Sequence, residues 1–77
     1  SLKIEQDGTA YADFTRELAK KGQGSYGEMM LCYAITNTLT EFPEIKRVQI
    51  LIEGKKVITL SGHMDIEDPL TRNTTLL

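Results

Sequence analysis

The chain has 77 residues, with 9 Lys+Arg against 11 Asp+Glu for a formal net charge of -2; 40% of it is hydrophobic, and it has no Trp and one Cys. That length allows one small domain with one core, burying about 60% of the surface its unfolded chain would expose. No Lys/Arg run exceeds a pair, which argues against a nucleic-acid footprint, and no apolar stretch approaches the roughly 18 residues that span a bilayer.

Two short alternating runs flank Asp7-Gly8 between Leu2 and Phe14, a strong hairpin signal. A two-residue turn would set Asp13 opposite Leu2. A three-residue loop, Gln6-Asp7-Gly8, instead pairs Ile4 with Ala10 and Leu2 with Ala12. Leu2, Ile4, Ala10, Ala12 and Phe14 then share one face, so the apolar face selects this register, with Gly8 left-handed. Tyr11 falls on the outward side. Thr15 to Gly24 is polar; Thr15 can cap a single helical turn through Leu18 before Gly22-Gln23-Gly24 makes a loop. A long helix is predicted over about residues 26–41. Ser25 and Glu28 read as a capping box, Met29, Cys32, Tyr33, Thr36 and Leu39 follow at helical spacing, Leu31, Ile35 and Phe42 widen the stripe, and Pro43 blocks continuation.

Val48, Ile50 and Ile52 then alternate with Arg47, Gln49 and Glu53, and Gly54-Lys55 can make a two-residue turn. This pairs Ile52 with Val57 and Leu51 with Ile58. Val48, Ile50, Ile52 and Val57 face the core, while Leu51, Ile58 and Leu60 lie on the other face. Ser61 to Leu77 reads as irregular, with a frayed end.

The chemistry-bearing residues are few. Cys32 is alone, so it forms no internal disulfide; in the middle of the apolar stripe it reads as a small buried hydrophobe. His63, Asp65, Glu67 and Asp68 make the densest polar cluster. It matches neither zinc nor EF-hand ligand spacing and reads as a structured loop whose side chains bond nearby amides. Gly22-Gln23-Gly24-Ser25 precedes a helix, where a phosphate can bind, but no Walker lysine accompanies it and it reads as a lead into the helix. Met29-Met30 suits core packing or an adaptable surface. Asn37, Thr38 and Thr40 suit a partner contact or hydrogen bonds to the preceding turn. Phe14, Tyr33 and Phe42 read as packing residues. No catalytic residue, cofactor site or metal site is predicted.

One longer pattern is more specific. Asn37-Thr38-Leu39-Thr40-Glu41-Phe42-Pro43 is followed by Val48-Gln49-Ile50-Leu51-Ile52-Glu53-Gly54, then Thr59-Leu60-Ser61-Gly62-His63-Met64-Asp65 and Pro69-Leu70. Together these resemble the GerMN domain of sporulation and spore germination proteins. Asp7-Gly8-Thr9-Ala10-Tyr11-Ala12-Asp13-Phe14 resembles that family's preceding strand, so the likeness runs from Leu2 to Leu70. It implies a non-catalytic module of bacterial envelope proteins, often lipoproteins, associated with protein-protein assembly and in part similar to ring-building motifs. No catalytic residue is established for the family. The usual domain begins earlier, with another strand and a helix. A chain without them is expected to expose a sheet edge or face and to associate with itself or pair strands between chains.

The expected fold is α+β: a small antiparallel or mixed sheet of about four strands, in the order β-β-α-β-β, with one long helix on one face. One GerMN-like domain is expected over 1–72, the C-terminal part of a full domain, with a flexible tail over 73–77. Because the chain opens on Ser1 without a leader pattern, any signal peptide or anchor is expected outside it. The expected role is a protein-interaction module of an extracytoplasmic, membrane-anchored lipoprotein, with protein partners in the cell envelope, homo-oligomerisation, no nucleic acid, and membrane contact only through an anchor elsewhere. Tyr11, Leu51, Ile58 and Leu60 are the candidate interaction residues, with His63 and Asp65 on the rim. The alternative is a domain that binds a small ligand or cell-wall polysaccharide.

Overall fold

The sheet is organised around one parallel pair. The computed structural model describes residues 1–21 and 24–74. Strands β1 (Leu2–Ile4) and β2 (Thr9–Phe14) come first, followed by a 3-10 helix (Arg16–Lys20), helix α1 (Gly24–Leu39), and strands β3 (Arg47–Ile52) and β4 (Lys55–Lys56). Strand order is β1-β2-β3-β4. The outer pairs are antiparallel and β2 runs parallel to β3. The parallel pair needs a crossover, and α1 supplies it. The fold is therefore α+β, a four-stranded mixed sheet with one helix.

The first hairpin adopts the register that the apolar parity selects: Leu2 pairs with Ala12, Lys3 with Tyr11 and Ile4 with Ala10. The Gly8 amide donates to the Glu5 carbonyl at 3.0 Å. Gly8 has φ +93°, and a Cβ there would run into the side chain of Lys46. Its carbonyl accepts from the amides of Lys46 at 2.7 Å and Arg47 at 3.2 Å. This loop thus joins the hairpin to the start of β3. Asp7 Oδ1 accepts the Thr9 amide at 2.9 Å, which, with the nearby Arg47 charge, keeps its carboxyl below the ordinary value.

The core lies between α1 and the face carrying Ala10, Ala12, Val48 and Ile50. The parallel register sets Ala10 beside Val48 and Ala12 beside Ile50. Alanines on β2 leave room for the helix. Cys32, Ile45 and Ile66 complete the buried cluster, with Phe14, Ile35, Leu39, Val57 and Leu60 packed around it. Ile52, expected in this core, lies outside the cluster because it sits at the strand end closing the turn.

Four local expectations are corrected. The helix starts at Gly24, so Ser25 lies inside its first turn, and the Glu28 carboxylate turns toward Ser61, His63 and Met64 and forms no capping box. In the second hairpin Leu51 pairs with Lys56 and Ile52 with Lys55. The turn residues are Glu53 and Gly54, both at positive φ (53° and 78°), the type I′ geometry that matches strand twist. β4 ends at Lys56, so strand alternation does not reach Leu60, which packs on the core instead of facing outward. Phe42 is also displaced from packing: the chain turns away after Leu39 and leaves it 56% exposed.

After β4 the chain runs back along β3. The Ile66 amide bonds the Ile58 carbonyl at 2.7 Å, and Val48 and Leu70 exchange both main-chain bonds at 2.8 Å. Asn73, placed by the sequence in a flexible tail, is bonded to Asn37. Residues 75–77 of that expected tail, and Gly22-Gln23 of the loop before α1, lie outside the described residues.

Candidate functional site

Helical spacing places Glu28, Cys32 and Thr36 on one buried stripe of α1. Thr36 returns its hydroxyl to the Cys32 carbonyl at 2.9 Å. Glu28 instead holds the loop that follows Thr59. Its Oε1 accepts the Ser61 amide at 3.0 Å and the Ser61 hydroxyl, and its Oε2 accepts the amides of Met64 at 2.7 Å and His63 at 3.3 Å. Burial alone would raise the carboxyl pKa. The Ser61 hydroxyl and the three amides outweigh it and keep the group ionised below its ordinary range. The same carboxylate, after burial itself, helps push the Cys32 thiol up to about 11.

The anchored loop forms one wall of a groove of about 540 Å³. Tyr26, Met29 and Tyr33, at successive turns of α1, form the other, and His63, Met64 and Asp65 face them. Tyr26 is 68% exposed. Asp65 Oδ1 accepts the Glu67 amide at 2.9 Å, the local side-chain bonding expected of this loop. A second, shallower surface is the sheet face away from the helix, where Lys3, Tyr11, Asp13 and Leu51 line a depression of about 350 Å³. Asp13 Oδ1 accepts the Gly54 amide at 2.8 Å and fixes the second turn.

Two further buried side chains tie down the end of the described chain. Gln49 Nε2 donates to the carbonyls of Ile66 and Glu67, each at 3.1 Å. Asn37 donates to the Asn73 carbonyl at 2.8 Å and accepts its amide at 2.9 Å. Arg72 donates to the Asn37 carbonyl at 3.0 Å and pairs with Glu41 at 2.6 Å, placing a cation at the helix C-terminus, where the macrodipole favours it.

The model of the Germane family, described as sporulation and spore germination, matches residues 1–58. The chain belongs to this family. It is 34% identical over 73 residues to the spore germination protein GerM of Bacillus subtilis, a match covering 94% of this chain and 19% of GerM. The first GerMN domain of that protein superposes with a TM-score of 0.81 at 32% identity, covering 94% of this chain and 53% of the solved one. Its tandem GerMN domains give 0.80 at 30% identity, covering 92% and 25%. A candidate lipoprotein of Clostridium perfringens gives 0.81 at 27% identity, covering 92% and 46%. The chain thus spans about a fifth of GerM and between a quarter and about half of these solved chains.

Within this GerMN domain the predicted interaction residues fall into separate places. Tyr11 and Leu51 share the open sheet face. Ile58 is 66% exposed near the β4 end. Leu60 packs against the core. His63 and Asp65 line the helix-loop groove with Tyr26 and Tyr33. Glu28, Asn37 and Gln49, which hold the loop and the C-terminal segment, were not expected there. Glu28 was hidden by the capping pattern, and Gln49 reads as the solvent side of an alternating strand. Among the described residues, no group of three or more His, Cys, Asp or Glu converges as a metal site, and no helix is long and apolar enough to cross a membrane.

Proposed function

We propose that this GerMN domain is a non-catalytic protein-interaction module of an extracytoplasmic lipoprotein associated with sporulation or germination. The observation that carries this reading is the open sheet face of Tyr11 and Leu51, and the state of two buried reactive groups supports it. The buried Glu28 carboxylate is engaged by four donors, and the Cys32 thiol is buried and raised to about 11. A base needs an open lone pair and a nucleophile needs a thiolate. The naming of its relatives, a germination protein and a candidate lipoprotein, supports the compartment and process. Tyr11 and Leu51 on the open sheet face are the contact residues. β1, at the sheet edge with Leu2 and Ile4 about half exposed, favours self-association.

The test is made in the full-length protein in its own host. Tyr11→Ala with Leu51→Ser should lower spore yield or germination at unchanged protein level, and light scattering should show concentration-dependent association. Wild-type behaviour of the double variant would remove this face from the reading. Turnover of an envelope substrate that disappears in His63→Ala would overturn the non-catalytic assignment.

The exposed Tyr26 beside Tyr33, His63 and Asp65 supports a second reading, saccharide binding, because sugars stack on rings and bond to polar rims. Amide shifts confined to Tyr26, Tyr33 and residues 63–65 on titration with muropeptides would favour it over protein docking.

A further inference from the structure

Although the chain is net acidic, one end of the sheet is not. Arg16, Lys55 and Lys56 stand around a recess of about 460 Å³ whose floor includes Ile52, Val57 and Leu60. Among the described residues none of these three cations makes an ion pair; the pairs present use Lys3, Lys20, Arg47 and Arg72. Glu53 also lines the recess, its Oε2 accepting the Arg16 amide at 3.1 Å, so three cations face one carboxylate there. Ile58 stands exposed beside it. β4, which carries both lysines, is the last strand of the sheet.

We propose that this recess binds an acidic, extended segment of a partner polypeptide whose apolar side chains enter the floor while its carboxylates meet Arg16, Lys55 and Lys56. The proposal rests on the reading of the domain as an interaction module and names the chemistry of the partner. Charge complementarity supplies the argument. Lysines on an edge strand repel or desolvate poorly against neutral strands, which guards the edge from indiscriminate pairing. An acidic strand turns that guard into attraction and can then add main-chain bonds along β4. The concavity selects a polypeptide over an anionic bilayer: apolar side chains of an extended segment can enter the recess, and a flat lipid surface would leave its apolar floor unfilled.

The experiment is an amide-shift titration of the 77-residue chain with four probes. They are an acetylated, amidated Glu-Leu-Glu-Val-Glu-Leu peptide, its Lys-for-Glu counterpart, its Ser-for-Leu/Val counterpart, and phosphatidylglycerol vesicles. The acidic apolar peptide should shift Arg16, Ile52 and residues 55–60. Its Kd should rise about tenfold in Lys55→Glu with Lys56→Glu, exposed positions whose reversal converts attraction to repulsion, and again when salt rises from about 50 to about 500 mM. The two altered peptides should bind much more weakly. Absence of localised shifts, equal binding of the Lys peptide, or indifference to the double reversal would overturn the proposal. Binding of vesicles in place of the peptide would overturn it in favour of a lipid surface. Failure here leaves the module reading standing, because that reading is judged by the Tyr11 and Leu51 variants in the host.

Discussion

Replacing Glu28 by glutamine probes the anchor of the helix-loop groove with almost no change of shape. Each carboxylate oxygen takes two donors: Ser61 amide and hydroxyl on one, His63 and Met64 amides on the other. A carboxamide has one oxygen. Turned toward His63 and Met64, it leaves its NH₂ against Ser61, whose hydroxyl can rotate to accept but whose amide cannot. One buried donor is then orphaned, at about 1–3 kcal/mol, and the remaining bonds lose charge assistance. Allowing for water at the loop surface, the net cost is about 2–3 kcal/mol, a large fraction of a small domain's stability. In thermal unfolding followed by circular dichroism at pH 7, this corresponds to a Tm lower by about 10–20 °C. Ser61→Ala removes one donor and orphans none, so it should cost only about 1 kcal/mol. The pH profile gives an independent reading. The folded carboxyl pKa lies below the ordinary 4.5, so the folded state binds fewer protons than the unfolded one. The stabilisation is complete above about 4.5 and is lost as pH falls through the folded value. Glu28→Gln should abolish that part of the acid limb. A Tm within about 2 °C of wild type, with unmoved amide shifts at Ser61, His63 and Met64, would refute the argument.

Gly8→Ala should destabilise by about 2 kcal/mol in urea unfolding, since φ +93° is strained for alanine and the new methyl meets Lys46; a loss under about 0.5 kcal/mol would show the loop is not fixed as described. Glu53→Asn should stabilise by about 0.5 kcal/mol, because asparagine tolerates the left-handed position of the type I′ turn better than glutamate; a fall in Tm would mean the Glu53 carboxylate on the Arg16 amide outweighs backbone relief. Cys32 should resist a disulfide-exchange reagent at pH 8 until guanidinium unfolds the chain, as its buried thiol is pushed up to about 11; stoichiometric labelling in native buffer within minutes would contradict its burial.

Much of the sheet can be read from parity alone. Asp7-Gly8 with alanines two apart on β2 admits one register that keeps apolar residues together, and the same parity places Tyr11 and Leu51 on one outer face. Signals fail where the deciding partner is distant. Gly54-Lys55 and Glu53-Gly54 are both acceptable turns by local chemistry; the Asp13 carboxylate, 41 residues away, accepts the Gly54 amide in the turn that forms. Ser25 and Glu28 satisfy the letter pattern of a capping box, yet the donors that Glu28 meets lie 33–36 positions on. Gln49 is spaced like a solvent-facing residue and is buried because the returning chain covers it. Leu60 was misplaced because nothing local announces that β4 stops after two residues.

The stretch from Ser61 to Asn73 has only the Leu70 bridge for a sheet ladder of its own. Beyond that it is held by the Ile66–Ile58 main-chain bond, by Ile66 in the core, by Arg72 on Glu41 and the Asn37 carbonyl, and by Glu28, Gln49 and Asn37, side chains on elements that precede it. Those three side-chain anchors come together only once α1 and β3 are in place, so the polar ties of this segment depend on the helix and the parallel strands, while Ile66 joins it to their common core. Hydrogen exchange should then be graded, with the Ser61, His63 and Met64 amides that rest on Glu28 released through local opening and those of Ile66, Leu70, β2 and β3 only through global unfolding.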